Sequence, residues 1–177
     1  MKWYNEPEKW HKQANQLRVT AGGQTDFWRV TFHDFIKDDA PFYYQAVGGD
    51  FTATVKITGD YKTQYDQAGL MVRESEHTWM KCGIEYVDGV QQASTVITRQ
   101  FSDWSIVPLV DAPRSMWFRA RRTGSAIEVF FSQDGKQFTL QRQGYLSEAV
   151  ELQVGIMCAA PQGTGFDVTF EDFEITR

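Results

Sequence analysis

The stretch Trp79-Met80-Lys81-Cys82-Gly83-Ile84-Glu85-Tyr86-Val87, followed by Asp88-Gly89, decides the fold class. Met80, Cys82, Ile84 and Tyr86 recur at every second position, the period of a strand with one apolar face. The Asp-Gly pair after them marks a hairpin, because a type I′ turn needs φ > 0 at its central positions. The same period returns in residues 51–57, 127–131 and 152–158. Turn signals separate the runs: Gly48-Gly49, Gly59-Asp60, Thr123-Gly124-Ser125, Asp134-Gly135 and Gly163-Thr164-Gly165. No segment sustains a 3.6-residue period, so the residues predict an antiparallel all-β fold, either sandwich or barrel.

The rest of the chain is consistent with this and narrows the classes of function. At 177 residues, with no linker, repeat or low-complexity tail, the expectation is one domain over residues 1–177. Hydrophobic residues at 42% and charged residues at 23% exclude disorder and fibrous classes. Six Trp, 7 Tyr and 13 Phe are a heavy aromatic load, suited to strands and to sites where flat rings meet a ligand. A net charge of −5 without any Lys/Arg-rich run argues against nucleic acid and anionic membranes as partners. Charged residues throughout the first twenty positions leave no apolar signal-peptide core, and no apolar run approaches membrane-spanning length. The expected location is therefore the cytoplasm, with Cys82 and Cys158 as buried free thiols.

Alternation also assigns faces. If Met80, Cys82, Ile84 and Tyr86 point inward, then Trp79, Lys81, Gly83 and Glu85 share the opposite face. In the preceding run Leu70 and Val72 go inward, while Gln67, Met71 and Arg73 go outward. After Pro113, Met116, Phe118 and Ala120 go inward, leaving Trp117, Arg119 and Arg121 on the other side. These outward faces mix aromatic, cationic and amide groups, where a plain solvated face would be richer in Thr, Ser, Glu and Lys.

Several segments resemble the family that includes the fungal regulation-of-enolase protein, placed in the concanavalin A-like lectin/glucanase superfamily. They are Thr25-Asp26-Phe27-Trp28-Arg29, Tyr65-Asp66-Gln67-Ala68-Gly69-Leu70-Met71-Val72-Arg73, the Trp79–Glu85 run and Ser102-Asp103-Trp104-Ser105, with residues 127–135 continuing the match. The resemblance implies a two-sheet antiparallel jelly-roll sandwich with one concave face. It brings no mechanism, since the family has no settled activity and a fold does not determine function.

Paired-carboxylate glycosidases need two acids on one face, about 5–5.5 Å apart for retention. The chain has no Glu-x-Asp-x-x-Glu type run; Glu74-Ser75-Glu76-His77 reads as a charged turn, and Glu85 stands as a lone acid beside Lys81. A neighbouring ammonium favours the ionised carboxylate, so Glu85 suits a structural ion pair better than a general acid. His11, His33 and His77 lack metal-ligand spacing and read as exposed loop residues. Asp38-Asp39 and Gly49-Asp50 lack the alternating acids of a calcium loop. No catalytic residue, metal or cofactor is expected. Trp3 and Trp28 read as packing anchors of the N-terminal segment.

What remains is an outward polar and aromatic set: Gln67, Arg73, Trp79, Lys81, Glu85, Arg99, Asp103, Trp104, Trp117, Arg119 and Arg121. Individually each suits a cross-strand lattice; together they predict a ligand cleft, with indoles stacking on a ring and charges selecting its substituents. Five cations against Glu85 and Asp103 point to an acidic ligand such as a uronate, with Trp79 or Trp104 on its ring. The first expectation is thus a non-catalytic binding domain for a carbohydrate or similar polar, acidic small molecule. A protein-interaction or regulatory module is the alternative, and a glycan hydrolase or lyase the second alternative.

Overall fold

The computed structural model describes all 177 residues. The front sheet has seven antiparallel strands, in the order β1 (Lys2–Tyr4), β6 (Phe42–Gly48), β15 (Glu151–Ala159), β8 (Gln67–Ser75), β9 (Thr78–Val87), β10 (Val90–Arg99) and β11 (Phe101–Pro108). The back sheet also has seven: β14 (Thr139–Tyr145), β13 (Ala126–Ser132), β12 (Met116–Thr123), β7 (Phe51–Gly59), β16 (Gly165–Thr176), β3 (Gln16–Gly22) and β2 (Trp10–Gln13). Two short strands, β4 (Phe27–Arg29) and β5 (Ile36–Asp38), form a separate ribbon. There is no helix, and the architecture is the expected antiparallel jelly-roll sandwich.

The alternating residues meet between the sheets. Leu70, Val72, Met80, Cys82, Ile84 and Ile97 of the front sheet join Val55, Ile57, Met116, Phe118, Val129 and Phe170 of the back sheet in one core. The residues of the alternating runs lie on the face that their period predicts, except that Tyr86, at the end of its run, is half-buried and outside this core. Turn chemistry holds the hairpins in register: Asp88 and Gly89 have φ of 50° and 81°, as a type I′ turn between β9 and β10 requires. Cys82 and Cys158 are free and buried in the same core. Burial alone pushes the Cys158 thiol up to about 12; it does the same for Cys82, against a smaller opposing backbone hydrogen bond at Leu70.

A second apolar cluster lies outside the sandwich, on the outer face of the front sheet. Phe27 and Trp28 of β4 pack there with Phe42, Tyr44, Met71, Trp79, Val96 and Met157. The β4–β5 ribbon is therefore a roof, and β9 is buried on both faces from Trp79 to Glu85. Such double burial is unusual for antiparallel strands, which commonly leave one face wet.

Candidate functional site

Strand pairing collects much of the predicted set on the outer face of the front sheet. Gln67 stands opposite Glu85, Gly69 opposite Gly83, Met71 opposite Lys81 and Arg73 opposite Trp79. Two paired glycines leave the floor bare. A Cβ on Gly69 would lie 1.7 Å from the Cys82 carbonyl oxygen, and one on Gly83 2.0 Å from that of Ala68, so only glycine fits at either position.

The roof changes what these groups do. Trp79 is 1% exposed beneath Phe27, with ring centroids 6.2 Å apart, so it stacks on no ligand, contrary to expectation. Arg73 is consumed by Asp38 of β5: Nη1 and Nη2 donate to Oδ1 and Oδ2 at 2.7 and 2.9 Å, while the Tyr4 hydroxyl donates to Oδ2 at 2.7 Å. Lys81 Nζ donates to Asp26 Oδ1 at 3.0 Å and to the Phe27 carbonyl at 2.6 Å. Each buried cation of the sheet thus meets a carboxylate of the roof segment, as burial of charge demands. Asp38 is a structural ion-pair partner, and Asp39 pairs with Lys37 at 3.1 Å.

Where the ribbon stops, a cavity of about 140 Å³ opens above Gln67, Lys81 and Glu85. Its walls are Asp26, Trp28, His33, Phe35, Tyr65, Trp104, Pro161 and Gln162. Four rings form an arc of edge contacts: Trp28 to His33 at 5.6 Å, His33 to Tyr65 at 6.3 Å, and Tyr65 to Trp104 at 6.4 Å. Phe35 adds a fifth ring 5.7 Å from His33. The roof's tip is strained backbone: Val30, Phe32 and Asp34 have φ of 61°, 67° and 56°, and a β-branched residue such as Val30 rarely adopts that region.

Glu85 is the chemical centre of the cavity. Its Oε2 accepts from Ser94 Oγ at 2.6 Å and from Trp104 Nε1 at 2.8 Å, while Oε1 takes no hydrogen bond. Burial is the largest influence and raises its carboxyl above the usual range; the Lys81 charge and the two hydrogen bonds oppose it, and Asp26 adds to it. This reverses the expectation of a carboxylate held ionised by Lys81, whose ammonium is spent on Asp26. The fold does bring a second acid, Asp26, to the same cavity, from a segment 59 positions earlier in the chain.

The other predicted residues lie elsewhere. Asp103 sits on the opposite side of β11 from Trp104 and pairs with Arg142 of β14 at 2.9 Å, tying the sheet edges together. Arg99 lies over the Tyr145 ring at 4.3 Å. Trp117, Arg119 and Arg121 belong to β12 and point outward from the back sheet. There Lys56 covers Trp117, Arg119 lies 3.6 Å over Phe138 and donates to Thr54 at 3.2 Å, and Arg121 pairs with Glu128 at 2.7 Å. That is a cross-strand lattice. The cationic excess expected in the cleft is absent: two of the five cations are neutralised under the roof, and three face away from it.

Sequence reasoning did not find Asp26, Phe35, Tyr65, Pro161 and Gln162, and it read Trp28 and His33 as an anchor and a loop residue. Both readings are true locally, since Trp28 is 9% exposed and His33 lies on an exposed loop. The one available signal was that Asp26, Trp28 and Tyr65 stand in the stretches that carry the family resemblance.

Fold and site together define a jelly-roll β-sandwich with a small aromatic-walled pocket over one sheet. The chain belongs to the family described as "Protein of unknown function (DUF1349)", matched over residues 3–177. It is 34% identical to "Regulation of enolase protein 1" of Saccharomyces cerevisiae over 174 residues, covering 98% of this chain and 88% of that protein. Among solved structures it is similar to a functionally unknown protein from Saccharomyces cerevisiae, with a TM-score of 0.95 and 34% identity over 99% of this chain and 95% of that one. It also shares its fold with the carbohydrate-binding module CBM66 from Bacillus subtilis, with a TM-score of 0.63 and 13% identity over 99% and 95% of the two chains.

Proposed function

We propose that the domain binds a carbohydrate or a polar ring of similar size in the pocket above Glu85, without turning it over. The arc of Trp28, His33, Tyr65 and Trp104 around a buried polar floor carries this reading. Indole and phenol rings offer flat apolar surface to the C–H face of a sugar, and Gln67, Lys81 and Glu85 offer donors and acceptors to its hydroxyls. A cavity of about 140 Å³ is well below the ~300–1,000 Å³ of pockets for drug-sized ligands. It suits a single ring, such as the end of a chain, rather than an internal stretch of polymer. The shared fold with a carbohydrate-binding module agrees with this use. Calorimetric titration with monosaccharides tests it: binding that Trp104→Ala weakens at least tenfold supports the reading, and titrations without heat across a broad panel sink it.

A second reading, a protein-contact or regulatory module, is favoured by the roof's tip. Phe32, Phe35 and Ile36 are 92%, 41% and 54% exposed on one short segment next to the pocket-lining His33, and apolar residues exposed as a group mark contact surfaces. The name of the yeast relative points the same way. If this reading holds, Phe32→Ser with Ile36→Ser abolishes the cellular role while leaving sugar titrations unaltered.

A further inference from the structure

The charge inside the pocket is unbalanced, which bears on the kind of ring it takes; the argument rests on the pocket being the binding site proposed above. Asp26, Lys81 and Glu85 line it. Lys81 spends two of its three donors on Asp26 and the Phe27 carbonyl and acts on Glu85 only through space, so one cation stands against two carboxylates. Glu85 has no cation within ion-pair distance: its two donors, Ser94 and Trp104, are neutral, and Oε1 has none. A buried carboxylate in this state is costly, and burial accordingly raises its proton affinity. The other titratable groups lining the cavity are His33 and Tyr65. The walls add the rings of Trp28, Phe35, Tyr65 and Trp104, aromatic side chains whose π-faces attract cations.

We infer that the pocket selects a ring bearing an ammonium group, as in an amino sugar, with the nitrogen at Glu85 Oε1 and the ring's C–H groups against Trp28, Tyr65 and Trp104. Such a ligand supplies the missing counter-charge, adds a charge-assisted hydrogen bond and places its positive edge among aromatic faces. An acidic sugar would instead add a third carboxylate to a pocket holding one cation. The preference is the reverse of the one that counting Arg and Lys along the strands predicts, because the roof cancels Arg73 and Lys81 and the other three cations face away from the pocket.

The test is calorimetric titration of the full chain near pH 7 with D-glucosamine, D-glucose, D-glucuronate and tetramethylammonium. Glucosamine is expected to bind about tenfold more tightly than glucose, and glucuronate more weakly than both. In Glu85→Gln, checked for native circular dichroism, the glucosamine-to-glucose ratio falls towards one. Should this variant fail to fold, the wild-type ranking of the four probes decides alone. Glucose binding as well as glucosamine overturns the inference and leaves the binding function standing; glucuronate binding best overturns it in favour of an acidic ligand. Tetramethylammonium binding with no sugar bound upholds the ammonium site and ends the carbohydrate reading. No binding by any of the four ends both.

Discussion

Lys81 donates to Asp26 at 3.0 Å across the gap between sheet and roof and makes no bond to Glu85, four positions along the same face of β9 beyond Gly83. This choice of partner closes one half of the face and frees the acid of the other half. It also makes the roof part of the folded unit, because removing it would leave an ammonium stranded on an apolar floor. Both side chains are at most 10% exposed. Truncating either one, as Lys81→Ala or Asp26→Ala, should cost about 3–5 kcal/mol in urea unfolding. The Lys81→Met, Asp26→Leu double variant should lose much less, since no buried charge is left unpaired. Equal losses in the single and double variants would show that the pair contributes through shape rather than charge.

The second clamp predicts a graded opening. Arg73 grips Asp38 with two bonds, and its guanidinium lies 4.7 Å over the Tyr4 ring. Arg73→Lys keeps the charge but loses the two-point grip. Hydrogen exchange in residues 27–38 should then rise well before exchange in β8 or β9 does, because the roof joins the sheet mainly through side chains. Uniform loss of protection across both sheets would show that roof and sandwich open together.

The two core thiols make stability fall at alkaline pH. Their folded values lie at about 12, raised from 9.0. Between these values the unfolded chain has lost protons that the folded chain still holds, so unfolding becomes easier as pH rises. Denaturation midpoints should therefore decline from about pH 9 upward, and Cys82→Ala with Cys158→Ala should decline less steeply. Neither thiol should react with an aromatic disulfide reagent in the native protein. Rapid native labelling of either would contradict their burial.

Glu85 predicts a pH effect at the other end of the scale. Its folded value lies above the unfolded one, so its contribution to stability is fully present below about 4.5 and is lost as pH rises through the folded value. Asp26, Lys81, Ser94 and Trp104 face it and remain in place in Glu85→Gln. Wild-type minus variant stability should therefore decline with rising pH across the weakly acidic range. A difference that is flat with pH would place the carboxyl at its ordinary value.

Strand period made the inner core legible for the runs around Leu70, Met80 and Met116, Tyr86 excepted, because alternation is a local property of the chain. What lay outside its reach was pairing at a distance. Nothing in Trp117-Phe118-Arg119 tells that β12 joins β7 and β13 on the back sheet, so its outward cations were grouped with those of β9 on a single face. The roof was hidden for the same reason: β4 and β5 have three residues each, too few to display a period. The polar residues of β9 carried a clue in their type, since Lys81 and Glu85 alternate with aliphatic residues yet lie in a strand buried on both faces. Such groups are neutralised by partners from elsewhere, and their charge cannot be added to that of a surface.

This difference between the two outer faces gives the clearest test of where binding occurs. On the back sheet, Trp117, Arg119 and Arg121 sit in pairs complete within the protein: Lys56 over the indole at 5.3 Å, Phe138 under the guanidinium at 3.6 Å, and Glu128 at 2.7 Å. Arg121 and its neighbours are solvated, so Arg119→Ala and Arg121→Ala should each leave the unfolding midpoint nearly unchanged. Their effect on ligand titrations should be nil. Trp104 is placed differently, with its indole N–H on Glu85 and its ring at the mouth of the cavity. Trp104→Phe keeps a ring there but removes one of the two donors to Glu85, and Trp104→Ala removes both ring and donor. Binding should weaken several-fold in the first and at least tenfold in the second, with the sandwich still folded by circular dichroism. If the β12 variants lost binding and the Trp104 variants kept it, the ligand would lie on the back sheet, and the pocket above Glu85 would be only a by-product of an imperfect roof.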